Sequence, residues 1–239
     1  MPLLRLSAET GKLWVFGPSI RGGTDVTIEH SHFENMAGYI GYFRIDGARF
    51  SDNDMRVIRE GINVVGGRNI TLERNRFEDF QPFTGDHSDA MQFFTTGLTR
   101  PEDMAARDIV IRNNLCLANG KAQCLFVTDQ IGMAKQGRGY AGFTIEDNVV
   151  VGAAWHGITV HDAENIAIRN NRLLRVSGVD SMDSRIDLEG STGTLSDNQA
   201  NAFIRLDKVK QSRNRRDGPT DAPKVKSVIG DWIARYRKS

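Results

Sequence analysis

Apolar residues recur along this chain in a pattern that repeats seven times. In each copy an apolar anchor residue is followed three positions later by asparagine, or by Ser31 in the first copy. The copies lie at residues 25–33, 47–55, 69–77, 108–116, 142–150, 165–173 and 192–200. Their anchors are 22, 22, 39, 34, 23 and 27 residues apart. Short units of this length predict a solenoid, with loop insertions near 78–107 and 117–141.

A second short strand is predicted in five of the units. These strands lie at residues 61–65, 89–94, 123–128, 156–161 and 185–189. Their β-branched and aromatic residues favour strands, and their alternation sends every second side chain into the core. The inward set is Ile62, Val64, Met91, Phe93, Leu125, Val127, Ile158, Val160, Ile186 and Leu188.

The recurring asparagine predicts a structural ladder. Its side-chain amide suits a turn, where it bonds the equivalent asparagine one coil away. The ladder members are Asn53, Asn75, Asn114, Asn148, Asn171 and Asn198.

Together these repeats predict an all-β chain. The pattern lacks the leucine spacing of leucine-rich repeats and the triangular period of hexapeptide repeats. It resembles the right-handed parallel β-helix of the pectate-lyase-like superfamily over residues 15–200. The resemblance implies one domain of about seven coils over residues 1–200. Within it, residues 1–20 form the first turn or cap the open end of the sheet.

Residues 201–239 predict a basic C-terminal tail, because they hold 11 Lys or Arg against 4 Asp or Glu. Residues 208–224 are interpreted as a linker. Apolar residues at helical spacing predict a helix over 227–238. We expect this helix to cap the β-helix, with oligomerisation through it as the alternative.

Composition narrows the class of protein. The whole chain carries 31 basic and 30 acidic residues, so no nucleic-acid partner is expected. No apolar run is long enough for a membrane span. The N-terminus lacks the layout of a secretory signal. An extracellular or periplasmic location is expected from the resemblance, and a cytoplasmic one stays open.

Cys116 and Cys124 lie in apolar runs and are expected to be buried free thiols.

Stacking of the coils predicts a functional strip. Equivalent residues of successive coils lie roughly 4.8 Å apart, so residues distant in sequence become neighbours. One predicted column contains Glu60, Asp89, Gln123, His156 and Ser184. Polar and titratable side chains concentrate on the central coils, at Asp86, His87, Asp89, Gln92, Lys121, Gln123, Trp155, His156, His161, Asp183, Arg185 and Asp187.

This strip suits β-elimination or epimerisation on a uronate-containing polysaccharide. His87 or His156 would act as the base, since histidine titrates near neutrality. Arg185 or Lys121 would neutralise the substrate carboxylate. Asp89, with Asp86, would orient His87 or hold Ca²⁺, and no other cofactor is required. The predicted substrate-binding residues are Gln92, Gln123, Trp155, His161, Asp183 and Asp187.

Two other functions stay open. The segments GDHSDAMQF, KAQCLFV, WHGITVH and SRIDL resemble the active-site order of polygalacturonase-type glycoside hydrolases, which use paired carboxylates. The chain departs from that family at two places: it has Ala122-Gln123 where the family has paired aspartates, and Asp187 where the family has lysine. The acid–histidine stretch at residues 86–89 also resembles a motif of mannuronan epimerases. A non-catalytic glycan-binding β-helix, as in tailspikes and adhesins, is the third function.

Overall fold

A computed structural model describes residues 16–95, 105–129, 139–178 and 184–237. These residues form parallel strands followed by a helix. The strands are β1 (Ser19–Glu29), β2 (His32–Met36), β3 (Ile40–Ser51), β4 (Asp54–Ile58), β5 (Ile62–Glu73), β6 (Arg76–Phe80), β7 (Asp89–Phe94), β8 (Ala106–Arg112), β9 (Leu115–Leu117), β10 (Gln123–Thr128), β11 (Tyr140–Glu146), β12 (Val149–Val151), β13 (His156–His161), β14 (Ala163–Glu164), β15 (Ile166–Arg169), β16 (Arg172–Leu174), β17 (Arg185–Asp187), β18 (Gly193–Ser196), β19 (Gln199–Ala200), β20 (Ala202–Ile204), β21 (Val209–Ser212) and β22 (Arg215–Arg216). The helix is α1 (Ala222–Tyr236). The predicted N-terminal cap over residues 1–20 lies mostly outside the described residues.

The strands wind into a solenoid with three faces. Face A is the eight-stranded sheet β2-β4-β6-β9-β12-β16-β19-β22. Face B is the series β7-β10-β13-β17-β20, and face C is the series β8-β11-β15-β18-β21. Faces B and C join at the long strand β5, whose first part pairs with β7 and whose second part pairs with β8. This arrangement confirms the predicted all-β parallel β-helix.

The predicted anchors form one buried column. Phe50 pairs with Leu72, and the series continues through Ile111, Ile145, Ile168 and Leu195. All six of these side chains are buried in the core. The register of the repeat is therefore the one that the apolar pattern predicts.

The predicted asparagine ladder is confirmed, and it gains a member. The Asn114 side-chain amide donates to Asn148 Oδ1 at 3.0 Å and to the Leu72 carbonyl at 2.9 Å. Its own Oδ1 accepts the Asn75 backbone N–H at 2.9 Å. The same bonds recur from coil to coil and end at Asn214, which bonds Asn198 and the Leu195 carbonyl. The amides thus satisfy turn groups that would otherwise be buried without partners.

The solenoid continues into the predicted tail. The linker interpretation of residues 208–224 is wrong over β21 and β22, which pair with β18 and β19. Gln211 occupies the anchor position of this extra coil. Because that residue is polar and exposed, the apolar pattern did not identify the copy.

Helix α1 begins earlier than predicted and does not cap the end. Its N-cap Asp221 accepts the Lys224 backbone N–H at 2.8 Å. Its buried residues Val225, Val228 and Trp232 pack on the outer side of face A, against Leu115, Val149, Val151 and Leu174. Both sides of β9, β12 and β16 therefore need apolar contacts, which explains why the helix lies along the side of the solenoid. No helix in the described part of the chain is long and apolar enough to cross a membrane.

The two cysteines form a disulfide, so the expectation of free thiols is wrong. Cys116 lies in β9 and Cys124 in β10, and their Cα atoms are 6.1 Å apart. Both side chains are buried in the core. The turn between face A and face B brings the two strands together, which the eight-residue separation did not reveal.

We predict that the ladder matters most where it is buried. Asn148→Ala removes the partner of the Asn114 amide and leaves the Ile111 carbonyl unbonded. It should lower the free energy of unfolding by about 3 kcal/mol, because buried polar groups lose their partners. The partly exposed end member is the control, and Asn214→Ala should cost only about 1 kcal/mol. Urea unfolding measures both free energies, and equal losses in the two variants would contradict this prediction.

We predict that the oxidised, denatured protein contains no titratable thiol, and that reduction yields two. Reduction should lower the free energy of unfolding by about 2–3 kcal/mol, because the covalent constraint on the unfolded chain is lost. A double Cys116→Ser, Cys124→Ser variant is the control, and reductant should not change its stability. Free thiols in the oxidised protein would overturn the disulfide.

Candidate functional site

The outward column of face B has the predicted register. Asn63 pairs with Gln92, Gln92 with Phe126, and Phe126 with Thr159. Thr159 then pairs with Asp187. Stacking therefore brings residues from five coils onto one strip, as predicted.

A bulge changes one neighbour in the predicted strip. His156 pairs with Arg185, and the register then shifts so that Ile158 pairs with Ile186. The prediction that Ser184 follows His156 in its column is therefore wrong by one residue. Gly157 lies at the shift, where a Cβ would meet the Leu173 side chain and lie 3.3 Å from the Arg185 carbonyl oxygen. A bulge of this kind redirects side chains next to it.

The bulge places Arg185 directly on His156. Arg185 Nε lies 3.4 Å from His156 Nδ1, and a terminal guanidinium nitrogen lies 3.4 Å from Nε2. The guanidinium thus contacts both nitrogens of the ring. A fixed positive charge beside an imidazole disfavours protonation of that ring.

Asp187 connects the remaining charged groups of this site. Its side chain is fully buried and lies 3.6 Å from His156 Nδ1 and 3.3 Å from His161 Nε2. Arg205 Nε donates to Asp187 Oδ1 at 2.7 Å, and a terminal nitrogen of Arg205 donates to the other carboxylate oxygen. We call His156, His161, Arg185, Asp187 and Arg205 the His156 cluster.

The His156 cluster fixes two protonation states. Burial and, to a lesser extent, the Arg185 charge together lower the pKa of His156 to about 4, against the opposing effect of Asp187. Burial alone would raise the pKa of Asp187, but hydrogen bonds from His161 and Arg205 hold it far below its usual range. At neutral pH the cluster therefore combines a neutral imidazole with an ionised carboxylate.

The other predicted residues lie around a separate cleft. His87, Lys121 and Trp155 line a cavity of about 160 Å³, which is also lined by Asp86, Ser88, Gly120, Ala122, Gln123 and Ala154. The His87 ring meets the Trp155 ring edge-on, with centroids 4.8 Å apart. We call this cavity the His87 cleft. The predicted single strip is thus two neighbouring sites, since Trp155 of the cleft precedes His156 of the cluster.

Asp86 does not orient His87 as predicted. Its two carboxylate oxygens accept bonds from Arg59 at 2.5 and 2.8 Å, and one of them also accepts the Phe83 backbone N–H at 3.1 Å. The hydrogen bond from Arg59 lowers the pKa of Asp86. Asp86 is therefore an ionised partner of Arg59 that shapes the rim of the cleft.

Asp89 lies in the buried column instead of the cleft. Its backbone N–H lies 3.4 Å from Glu60 Oε2. Burial raises the pKa of Asp89 well above its usual range, and the nearby Glu60 adds to this rise. Burial also raises the pKa of Glu60 to about 7. This column therefore holds carboxyl groups that favour their neutral form.

A calcium site at Asp86 and Asp89 does not fit this arrangement. Arg59 engages both oxygens of Asp86. Asp89 is buried and does not line the cleft with Asp86, so the two carboxyl groups do not converge on one ion. Among the described residues no group of three His, Cys, Asp or Glu side chains could hold a metal ion.

The remaining predicted substrate-binding residues lie at three different places. Gln92 is partly exposed on face B, and Gln123 is buried beside Asp89 and lines the His87 cleft. Asp183 lies outside the described residues. Apart from the roles of Asp86 and Asp89 discussed above, the catalytic and binding roles assigned from the sequence stay predictions.

Arg205 is the residue that sequence reasoning missed. It follows β20, which pairs with β17, so it lies one coil beyond Asp187. The short apolar run Ala202-Phe203-Ile204, which forms β20, is the signal that could have extended the strip. Because residues 201–239 were predicted to form a tail, Arg205 was not included in the strip.

Comparison with known families gives one match. The family described as the right-handed beta helix region matches residues 16–202. No curated protein matches the chain. Because the match covers most of the chain, this protein belongs to the right-handed β-helix family.

We predict that the His156 ring titrates near pH 4 and that Arg185→Gln raises this pKa, because the variant removes the positive charge beside the ring. An NMR titration of the histidine ring protons measures both values. Arg169→Gln, an exposed change that breaks the pair with Glu146, is the control and should leave the His156 pKa unchanged. An unchanged pKa in Arg185→Gln would contradict the electrostatic account.

Proposed function

We propose that this protein acts on a uronate-containing polysaccharide by removing the proton next to the sugar carboxylate. The outcome is β-elimination or epimerisation. One observation carries the proposal: a neutral imidazole, His156, lies against the guanidinium of Arg185. The family adds support, since the right-handed β-helix fold is common in enzymes that act on polysaccharides.

His156 has the properties of the base. Its pKa of about 4 leaves the ring neutral across the physiological range, so a ring nitrogen keeps a lone pair that can accept a proton, although this ring is a weaker base than an ordinary histidine. The proton leaves C5 of the uronate, and the electron pair moves into the adjacent carboxylate. That step creates the negative charge that a nearby cation must stabilise.

Arg185 has the properties of the stabilising cation. A guanidinium can bind a carboxylate through two parallel hydrogen bonds. Because Arg185 contacts the His156 ring, a carboxylate bound to Arg185 would bring the C5 proton close to the base. In epimerisation, C5 takes up a proton on its opposite face and the C4–O bond stays intact. In elimination, the electron pair instead expels the oxygen at C4, which takes up a proton. His161, beside Asp187, is our candidate donor of that proton.

Glycoside hydrolysis receives less support. It requires two carboxyl groups that face the substrate, one as acid and one as base or nucleophile. Four aspartates are available for this, and one of them, Asp183, lies outside the described residues. Among the described ones, Asp86 is paired with Arg59, and Asp187 is paired with Arg205. Asp89 is buried. We therefore prefer proton abstraction to hydrolysis.

The disulfide bears on location. Disulfides persist in oxidising compartments and are rare in the cytosol. The Cys116–Cys124 bond supports our proposal that the protein works outside the cytoplasm, in the periplasm or the extracellular space.

The proposal predicts the behaviour of two variants. On a panel of uronate polysaccharides, the protein should produce an unsaturated sugar that absorbs in the ultraviolet, or an epimerised sugar. His156→Ala and Arg185→Gln should each lower turnover by about 100-fold or more, because each removes a group that acts in the transition state.

His32→Ala is the matched control, because His32 is an exposed histidine on face A. Its turnover should stay within about twofold of the original. New reducing ends without ultraviolet absorbance would indicate hydrolysis. Binding without any product would indicate a glycan-binding protein, and either result would overturn the proposal.

A further inference from the structure

The His87 cleft contains buried polar atoms without partners. Ser88 is 1% exposed and Gln123 is 6% exposed, and both line the cleft. Ser88 Oγ and Gln123 Oε1 have no hydrogen-bond partner within the described part of the chain. Buried polar atoms are nearly always hydrogen-bonded, so these two atoms bond either water or a ligand that replaces water in the cleft.

The charged and aromatic groups of the cleft narrow the class of ligand. Lys121 and His87 are exposed at its mouth. Trp155 is 40% exposed, although its ring is held edge-on against His87. An ammonium group attracts an anion, hydroxyls satisfy the unmet oxygen atoms, and an exposed aromatic face packs on a sugar ring.

A second exposed aromatic residue lies at the rim. Phe83 is 54% exposed. Its backbone N–H donates to Asp86, which lines the cleft, and the Arg59 guanidinium lies 5.1 Å from the centre of its ring. Arg59 in turn is fixed by Asp86. This side chain is therefore presented to solvent on a rigid support, which suits a contact with a bound ligand.

The size of the cleft limits the ligand. Its volume of about 160 Å³ is well below the roughly 300–1,000 Å³ of sites that enclose drug-sized molecules. One pyranose ring fits this scale, whereas several linked rings do not.

We infer that the His87 cleft binds one carboxylated pyranose ring, separately from the proton-transfer centre at His156. Lys121 pairs with the ring carboxylate, Ser88 and Gln123 bond its hydroxyls, and Trp155 packs on the ring. His87 and Lys121 thus bind substrate and do not act in proton transfer. This inference rests on the proposed function, because it supplies a subsite for the same acidic polysaccharide.

The test uses sugar acids matched with their neutral counterparts. Galacturonic, glucuronic and mannuronic acids are titrated in parallel with galactose, glucose and mannose. The readout is the NMR signal of the Trp155 indole N–H, which is assigned with Trp155→Phe. We expect at least one sugar acid to shift this signal, with a dissociation constant at least about tenfold lower than that of its neutral counterpart.

Variants separate charge from hydroxyl recognition. Lys121→Met should weaken binding of the sugar acid by about tenfold and leave the neutral sugar unchanged. Ser88→Ala should weaken both sugars. Lys226→Met, an exposed change on α1, is the control and should alter neither. Circular dichroism checks that each variant is folded.

Equal binding of acidic and neutral sugars, no shift of the Trp155 signal, or no effect of Lys121→Met would overturn the inference. Its failure is distinguishable from failure of the proposed function. If turnover depends on His156 but no sugar binds at Trp155, only this inference is contradicted. If sugar binds in the cleft but no turnover occurs, the subsite is supported and the enzymatic proposal is contradicted.

Discussion

The hydrogen-bonded asparagine ladder is the interaction on which the rest of this structure depends. Each interior asparagine bonds the next one and also a main-chain carbonyl of the preceding coil, as Asn171 does with Asn198 and the Ile145 carbonyl. The ladder fixes the position of each turn relative to the turn before it. Since a slip of one residue would turn every strand side chain to the opposite face, this register decides which residues meet.

The two candidate sites follow from that register. His156 and Arg185 are 29 residues apart in sequence yet adjacent in face B. Asp187 meets Arg205 from the following coil in the same way. A neutral base beside a cation is possible here because burial and Arg185 act in the same direction on the imidazole. The ionised carboxylate nearby is stable because Arg205 and His161 bond it.

Much of the fold could be predicted because the signal is repeated. An anchor such as Leu72 and a ladder residue such as Asn75 are individually weak indicators, but the same pair at the same spacing in six of seven copies specifies coils and register. The outward column from Asn63 to Asp187 followed from that register. His87, Lys121 and Trp155 likewise came together as the stacking of coils required.

What could not be predicted arises from interactions outside the repeat. The bulge at Gly157 depends on local close packing and shifts Arg185 by one position. The extra coil was not predicted because its anchor position holds the polar residue Gln211. Arg205 belongs to that coil and was therefore missed as well. The pairing of Asp86 with Arg59 depends on a turn that the repeat does not specify. The position of α1 depends on apolar residues on the outer side of face A, which look like core residues in the sequence.

The proposed reaction depends on one hydrogen atom, the C5 proton of a uronate unit. The most direct measurement is proton NMR of a uronate polysaccharide incubated with the protein in D₂O. The C5 proton signal should disappear, through deuterium exchange or formation of a double bond, and it should persist with His156→Ala. Cleavage of the polysaccharide with the C5 proton signal intact would contradict it.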